Sequence, residues 1–247
     1  MKNNFYFNKP LENLYLEPSN SSEVVSQILY GENFKVLKKK KNWIKIKLNF
    51  DNYIGYIKKN KFSKNFSPKI KVKKLKANIF VLKKNKFIMK KDKIFFGSKL
   101  SILRKKNNFY EFEKNKWIQK KDIVNIDSKE ENFIKIFKSF LKTKYKWGGK
   151  TCEGIDCSGL IQMFFFYNNL YCPRDTNKQI PFFLKNKKKY SEISKSIIFW
   201  KGHVAICENN KNLIHAYGPK KKVIKMNIKK TIEKIYKDTG LKPIYIK

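Results

Sequence analysis

Short apolar segments that alternate with polar residues occupy the first quarter of the chain. Residues 43–48 alternate with a period of two, and residues 53–57 resume the alternation after a polar turn of asparagine and aspartate. Alternation with this period places apolar side chains on one face of a β-strand and polar side chains on the other. The pattern therefore predicts a small all-β module built from short strands.

A second stretch, residues 68–126, repeats this rhythm less regularly. Segment 31–37 aligns with segment 97–103, because each begins with glycine and continues as an alternating apolar strand. A tryptophan, Trp43 or Trp117, lies downstream of each copy. We interpret the alignment as an internal repeat and predict two related β modules, at residues 1–66 and 67–127.

The pattern changes to a helical period after residue 127. Residues 130–142 carry an apolar stripe with a 3.6-residue period, and Ser128 is placed to be the N-cap of this helix. A second helical segment, rich in aromatic residues, opens at residues 156–159 and ends before Asn168. Apolar segments then predict three strands, at residues 197–200, 203–207 and 213–217. Residues 128–247 are therefore predicted to form an α+β domain.

The chain carries a large positive charge. Of its 247 residues, 58 are Lys or Arg and 19 are Asp or Glu, which gives a formal net charge of +39. Only two of the basic residues are arginines, whereas proteins that read nucleic acids favour the bidentate arginine fork. The lysines are also spread along the whole chain. We therefore expect solvated lysine faces, weak salt-sensitive binding to polyanions and no specific nucleic-acid partner.

Cysteine usage and hydropathy indicate a protein of the reducing cytoplasm. Four cysteines without any C-x-x-C pair do not make a disulfide scaffold. The first residues lack the apolar core of a signal peptide, and no segment reaches the ~18 apolar residues of a membrane span. We expect a cytoplasmic monomer that does not bind membranes.

Both histidines of the chain, His203 and His215, lie in a predicted hairpin around an asparagine-rich turn. If the hairpin is centred on residue 209, the two imidazoles are directly opposed, with Cβ atoms ~4.5–5.5 Å apart. Such a pair is compatible with a metal site completed by Cys157 or Asp156, with a catalytic base and its orienting partner, or with coincidence.

Cys157 is the cysteine whose surroundings favour chemistry. It lies in the first turn of a predicted helix, where the macrodipole and free N–H groups should lower its pKa and favour the thiolate. Gly154 and Gly159 flank it and should allow a substrate backbone to approach. The alternative is a small buried residue, an interpretation that we accept for Cys172 and Cys207. Cys152 follows the Gly148-Gly149 turn, away from any predicted helix terminus, and is interpreted as a bystander.

Five motifs together resemble the NlpC-type cell-wall peptidases, which have a papain-like fold. In chain order they are Tyr-Lys-Trp-Gly-Gly at 145–149, Asp-Cys-Ser-Gly-Leu at 156–160, Pro-Arg-Asp-Thr at 173–176, Gly-His-Val-Ala-Ile at 202–206 and Ile-His-Ala at 214–216. The first β module is similar to the bacterial SH3-like domain of one branch of that family. This branch comprises the γ-D-glutamyl-L-diamino acid endopeptidases, also called dipeptidyl-peptidase VI.

The resemblance implies a fold, a reaction and a role for each matched residue. The fold is a papain-like cysteine peptidase domain preceded by two small SH3-like β-barrel modules. The substrate is a short murein peptide with a free N-terminal L-alanine, cleaved between γ-D-glutamate and the diamino acid without a cofactor or metal. Cys157 is implied as the nucleophile, His203 as the base, His215 as its orienting residue and Tyr145 as an oxyanion donor beside the Cys157 N–H. The residues implied to bind the substrate amino terminus are Asp156, Ser158 and Asp175, with Glu23 and Tyr53 contributed by the SH3-like module.

The sequence departs from the family at one point and leaves two other functions open. Ser194-Lys195-Ser196 stands where the family commonly carries Gly-Asp, and the link from Trp200 to His203 is very short. The fold alone does not fix the substrate, so intact cell wall or another amide or ester is an alternative. A non-catalytic basic protein that holds an anionic glycan or nucleic acid is the other alternative.

Overall fold

A computed structural model describes residues 4–246, and the chain divides into two compact units, Met1–Lys129 and Glu130–Lys247. The first unit is all-β apart from one 3-10 turn at Lys120–Asp122. Its strands are β1 (Asn4–Tyr6), β2 (Leu11–Tyr15), β3 (Val24–Leu29), β4 (Asn33–Lys40), β5 (Trp43–Leu48), β6 (Ile54–Lys58), β7 (Ile70–Val72), β8 (Lys76–Lys83), β9 (Lys86–Phe95), β10 (Lys99–Leu100), β11 (Arg104–Lys106), β12 (Phe109–Glu113), β13 (Lys116–Gln119) and β14 (Ile123–Asn125).

Strands β1 to β6 form one antiparallel sheet in the order β1-β4-β5-β6-β2-β3. The period-two prediction for β5 is confirmed, because Ile44, Ile46 and Leu48 are buried while Lys45 and Lys47 remain partly exposed. The buried face packs on Phe7, which follows β1, and on apolar side chains from the other strands, including those of Leu14, Ile28, Phe34 and Ile57.

The second half of this unit contains a sheet of order β10-β7-β14 and a sheet of order β11-β12-β13-β8-β9. The two segments aligned in the sequence begin with the same turn, since Gly31 and Gly97 both have φ of +79°. The Gly31 N–H donates to the Phe7 carbonyl at 2.8 Å, and the Gly97 N–H donates to the Val72 carbonyl at 2.9 Å. The strand that follows differs, because β10 has two residues where β4 has eight. The module boundaries at residues 66 and 127 stay predictions.

The second unit mixes helices with short strands. Its elements in chain order are α1 (Phe133–Ser139), β15 (Lys150–Thr151), β16 (Gly154–Ile155), α2 (Cys157–Tyr167), α3 (Thr176–Lys185), α4 (Ser191–Ser196), β17 (Ile197–Trp200), β18 (His203–Cys207), β19 (Asn212–Tyr217), a 3-10 turn (Gly218–Lys220), β20 (Lys222–Asn227), α5 (Ile228–Thr239) and β21 (Ile244–Tyr245). None of the helices within residues 4–246 is long and apolar enough to cross a membrane.

The predicted first helix begins later than the sequence suggested. Its N-cap is Asn132, whose side chain accepts from the Lys135 N–H at 3.1 Å, so Ser128 as the cap is wrong. The cause is a contact that sequence spacing does not reveal. The Asn168 side chain accepts from the Glu130 N–H at 2.8 Å and donates to the Glu130 carbonyl at 3.0 Å, which holds this segment outside the helix.

A central helix and an antiparallel sheet organise the second unit. Strands β17 to β21 pair in the order β20-β19-β18-β17-β21, and α2 contacts β18 and β19. Every residue of α2 is buried, as expected for a helix that is apolar around its whole circumference. On β19, Leu213 and Tyr217 pack in a cluster with Ile235 of α5, and alternation puts His215 on the same face as these two residues.

Candidate active site

Cys157 is the first residue of α2, directly after the N-cap Asp156. The Asp156 carboxylate accepts from the Gly159 N–H at 2.7 Å and from the Gly148 N–H at 2.8 Å. It therefore caps the helix and also fixes the loop that precedes it. This double anchorage holds the cysteine at one position relative to both segments.

A buried arginine completes the support beneath Cys157. Arg174 donates to both carboxylate oxygens of Asp156, at 2.9 and 2.5 Å, and to the Ser158 hydroxyl at 2.9 Å. It also donates to the Gly149 carbonyl at 3.3 Å. Arg174 and Asp156 are 2% and 4% exposed, so each charge has its partner inside the protein. Asp156 and Ser158 thus have structural contacts that the sequence did not predict, and their contact with substrate stays a prediction.

The Cys157 sulfur lies against the backbone on both sides of His203. The thiol donates to the Gly202 carbonyl at 3.9 Å, and the Val204 and Ser158 backbones hydrogen-bond to the sulfur. These amides and the Arg174 charge favour the thiolate, but burial opposes it more strongly, and the Asp156 charge adds to burial. Together they raise the pKa of Cys157 to about 12, so the expected lowering by the helix dipole is wrong for this structure.

The two histidines are in contact but are not directly opposed. Strands β18 and β19 pair with Ile206 opposite Ile214 and Cys207 opposite Leu213, so the hairpin is centred on residue 210 and the predicted centre at 209 is wrong. The cause is a longer turn, in which the Glu208 and Asn209 N–H groups both donate to the Asn212 carbonyl. The shift keeps both imidazoles on one face as diagonal neighbours. His203 Nε2 lies 3.0 Å from His215 Nδ1.

Burial keeps both imidazoles neutral. His215 is fully buried and stacks on Tyr217 with ring centroids 4.6 Å apart, and its Nε2 lies 3.3 Å from the Met226 sulfur. Burial lowers the pKa of His203 to about 4. Burial, and then the proximity of His203, lower the pKa of His215 to about 3.

A tight turn positions His203. Trp200 pairs with His203 across β17 and β18, so the short link predicted from the sequence is a two-residue turn with Gly202 at φ +79°. Helix α4 runs directly into β17 where the family commonly carries Gly-Asp. The histidine nevertheless stands at the start of β18.

Tyr145 lies near the nucleophile. It forms a bridge with Ile155, and its N–H donates to the Lys221 carbonyl at 2.9 Å. Burial raises the pKa of the Tyr145 hydroxyl, and the neighbouring Cys157 and Asp156 raise it further. The hydroxyl therefore stays protonated and can donate a hydrogen bond, as an oxyanion donor must.

The other predicted binding residues lie outside the segment that surrounds Cys157. Asp175 is the N-cap residue of α3, directly after Arg174, and is partly exposed. Glu23 and Tyr53 belong to the first unit, where Glu23 is exposed and Tyr53 is partly buried. The part that these three residues have in substrate binding stays a prediction.

Other parts of the chain pack closely against the two glycines that flank Cys157. A Cβ on Gly159 would lie 2.5 Å from the Gly149 carbonyl oxygen, and a Cβ on Gly154 would lie 2.5 Å from the Lys146 side chain. The approach of a substrate backbone at these two positions stays a prediction. The two glycines allow the loop before Cys157 to pack closely on the helix.

The remaining cysteines form no disulfide within residues 4–246, and none of them begins a helix. Cys152 occupies the turn between β15 and β16, and Cys172 is buried beside Gln179. Burial raises the pKa of Cys207 to about 11. Within residues 4–246, no group of three or more His, Cys, Asp or Glu side chains is arranged to hold a metal ion.

Sequence reasoning missed the contributions of Arg174 and Met226. A signal for Arg174 was present, since it is one of two arginines among 58 basic residues and adjoins Asp175. A buried bidentate contact with a carboxylate is a reason to use arginine in a chain that otherwise uses lysine. Met226 had no such signal, because its contact depends on the pairing of β19 with β20.

Comparisons with known proteins support this description. Residues 14–62 match the model described as the bacterial dipeptidyl-peptidase Sh3 domain, and residues 142–241 match the NlpC/P60 family. A segment of 86 residues, 35% of the chain, is 34% identical to Dipeptidyl-peptidase 6 of Lysinibacillus sphaericus and spans 32% of that protein.

Two solved structures share the fold. An NlpC/P60 family protein from Bacillus cereus ATCC 10987 is 18% identical with a TM-score of 0.72, over 91% of this chain and 94% of that one. An NlpC/P60 endopeptidase from Photobacterium damselae subsp. piscicida is 13% identical with a TM-score of 0.58, over 98% of this chain and 70% of that one. The predicted fold class, a papain-like domain after an SH3-like β region, is confirmed. The chain thus carries a segment similar to the bacterial dipeptidyl-peptidase SH3 domain, followed by a segment similar to the NlpC/P60 family.

Proposed function

We propose that the protein is a cysteine endopeptidase that cleaves the γ-D-glutamyl bond to the diamino acid in short murein peptides with a free N-terminal L-alanine. The observation that carries the proposal is the arrangement of the buried Cys157 thiol against the start of β18, where His203 contacts His215 at 3.0 Å. The dipeptidyl-peptidase names of the matching SH3 domain and of the curated relative support the choice of substrate.

The resting site holds a neutral thiol and a neutral imidazole. The raised pKa of Cys157 and the lowered pKa of His203 both disfavour a thiolate–imidazolium pair. Proton transfer from the thiol to His203 therefore accompanies attack on the substrate carbonyl and does not precede substrate binding. His203 Nε2 contacts His215, so Nδ1 is the nitrogen that accepts this proton.

Two chemical steps complete the reaction. The thiolate attacks the γ-carbonyl carbon of D-glutamate, and the Cys157 N–H and the Tyr145 hydroxyl donate to the resulting oxyanion. His203 returns its proton to the amine of the diamino acid, which leaves as the C–N bond breaks. His203 then removes a proton from water, the hydroxide attacks the thioester, and the sulfur leaves as the thiol on regaining the proton. L-Ala-D-Glu is released with the γ-carboxyl group free.

The need for a free amino terminus is the specific part of the proposal. A buried ammonium must be paired with an anion, and Asp175 is the partly exposed carboxylate nearest in sequence to the Arg174 anchor. Asp156 already has Arg174 as its ionic partner. We propose that Asp175 is the principal partner of the substrate ammonium and that the enzyme recycles murein peptides in the cytoplasm.

A peptide digest followed by mass spectrometry tests the proposal. Purified protein incubated with L-Ala-γ-D-Glu-diaminopimelate should release L-Ala-D-Glu, and an N-acetylated peptide should be cleaved far more slowly. The Cys157→Ala variant should be inactive, while Cys152→Ala, which changes the neighbouring thiol, should retain activity. Equal cleavage of free and acetylated peptides would reject the terminus requirement, and no release at all would reject the proposed reaction.

A further inference from the structure

The histidine pair of the candidate site contacts the sulfur atom of a methionine. Met226 on β20 places its Sδ 3.3 Å from His215 Nε2, while His215 Nδ1 contacts His203 Nε2 at 3.0 Å. A thioether sulfur carries no hydrogen, so it can accept a hydrogen bond but cannot donate one. The contact is favourable only when the hydrogen of His215 lies on Nε2.

The tautomer of His215 determines the tautomer of His203. A neutral imidazole has one N–H, so a hydrogen on His215 Nε2 leaves Nδ1 as an acceptor. His203 must then donate from its own Nε2, which leaves His203 Nδ1 without a hydrogen. That atom is the one that takes the thiol proton under the proposed function.

We infer that Met226 is a positioning residue that fixes the tautomers of both histidines by accepting the Nε2 hydrogen of His215. The consequence for catalysis rests on the proposed function, whereas the tautomer assignment does not. In the opposite arrangement His215 Nδ1–H would donate to His203 Nε2, and His203 would present Nδ1–H to the thiol. A protonated Nδ1 cannot accept the thiol proton, so that arrangement is inactive.

The other groups around His215 do not replace the sulfur. The Tyr217 ring stacks on the imidazole at an interplanar angle of 11°, so it lies above the ring and not in the direction of the Nε2–H bond. His203 occupies the Nδ1 side, and Ile224, which pairs with His215 across β19 and β20, has an apolar side chain.

The charged residues nearby and the Cys157 thiol do not determine the tautomer of His215 either. Lys234 and Asp238 of α5 act on the Tyr217 hydroxyl with opposite signs. Cys157 of α2 lies on the His203 side of the pair. The neutral state of both imidazoles follows from burial, which lowers the pKa of each.

Nitrogen-15 NMR of the histidine rings reads the tautomers directly. The chain contains two histidines, so the full-length protein labelled in histidine gives two imidazole patterns. In the resting protein at pH 7, both rings should show a protonated Nε2 and an unprotonated Nδ1. A protonated Nδ1 on His215 in the unmodified protein would overturn the inference without any variant.

Three variants on β20 separate the acceptor from packing. Met226→Leu keeps the side-chain volume but removes the hydrogen-bond acceptor, so a population of the Nδ1–H tautomer of His215 should appear. The kcat value should fall about fivefold, which corresponds to the net strength of one ordinary hydrogen bond, and KM should not change. Met226→Gln supplies a carbonyl acceptor and should restore the Nε2–H tautomer. Ile224→Leu repacks the neighbouring position and should leave the tautomers as they are.

The outcomes distinguish this inference from the proposed function. Unchanged ring-nitrogen shifts in Met226→Leu would overturn the inference, as would equal shifts in Met226→Leu and Ile224→Leu. The expected tautomers in a protein that does not cleave the murein peptide would support the inference and reject the proposed function.

Discussion

The ion pair between Arg174 and Asp156 should be the most costly charged contact of the second unit to break. Replacing Arg174 by Met removes the guanidinium and leaves the Asp156 carboxylate, 4% exposed, without its charged partner. Breaking a buried pair from one side costs about 3–5 kcal/mol, because one charge stays buried and unpaired. A typical domain has about 5–15 kcal/mol of stability in total, so the loss should be large.

The only other arginine of the chain provides a matched control. Arg104 also makes a two-point contact with a carboxylate, that of Glu111, but its side chain is 69% exposed. Glu111 itself is 2% exposed, but it also accepts from the Asn115 N–H at 2.7 Å, and the guanidinium that it loses is already in water, so Arg104→Met should cost less than Arg174→Met. The two variants change the same residue type and differ mainly in the burial of the arginine side chain.

Calorimetric unfolding of the full chain measures both effects. For a unit of about 120 residues, 3–5 kcal/mol corresponds to a fall in the transition midpoint of about 12–20 °C. The double variant Asp156→Asn/Arg174→Met removes both charges, while Asn can still cap α2, and should recover most of the loss. Equal midpoints for Arg174→Met and Arg104→Met would refute the reasoning.

Three further predictions follow from the same site. Because burial raises the pKa of Cys157, iodoacetamide should alkylate this thiol slowly at pH 7 and faster above pH 9; rapid alkylation that is independent of pH between 5 and 8 would indicate a resting thiolate. Because the folded histidines have pKa values of about 4 and 3 and unfolded histidine about 6.5, only the unfolded chain gains these protons as the pH falls from 7 to 5. Each should therefore cost about 2 kcal/mol in urea unfolding over this range, and a His203→Gln/His215→Gln variant should show no such loss. Gly159→Ala places a Cβ 2.5 Å from the Gly149 carbonyl and should destabilise the protein by about 1–3 kcal/mol, so an unchanged midpoint would contradict the close packing.

Local patterns in the sequence predicted the elements that depend on local chemistry. The period-two alternation identified β5, and the aromatic segment that opens at residues 156–159 identified α2 close to its observed bounds. Both depend on side chains near in sequence, so their signal is present before folding. The motifs also identified Cys157, His203 and His215, which the structure brings to one place.

Long-range contacts determined what the sequence could not predict. The start of α1 depends on Asn168, which lies far along the chain from Asn132. The hairpin register depends on the hydrogen bonds of one turn, and the direction of the Cys157 pKa shift depends on burial by the surrounding fold. A helix terminus gives the sign of the dipole effect, but it does not reveal the desolvation that here exceeds it.

Hydrolysis of L-Ala-γ-D-Glu-diaminopimelate in water labelled with oxygen-18 tests the central claim most directly. If Cys157 forms a thioester with the γ-carbonyl group, the released L-Ala-D-Glu carries one labelled oxygen, and that oxygen lies in the γ-carboxyl group. The Cys157→Ala variant should release no dipeptide, whereas Cys152→Ala should give the same labelled product. Label at any other position, or release by Cys157→Ala, would contradict the assigned bond and nucleophile.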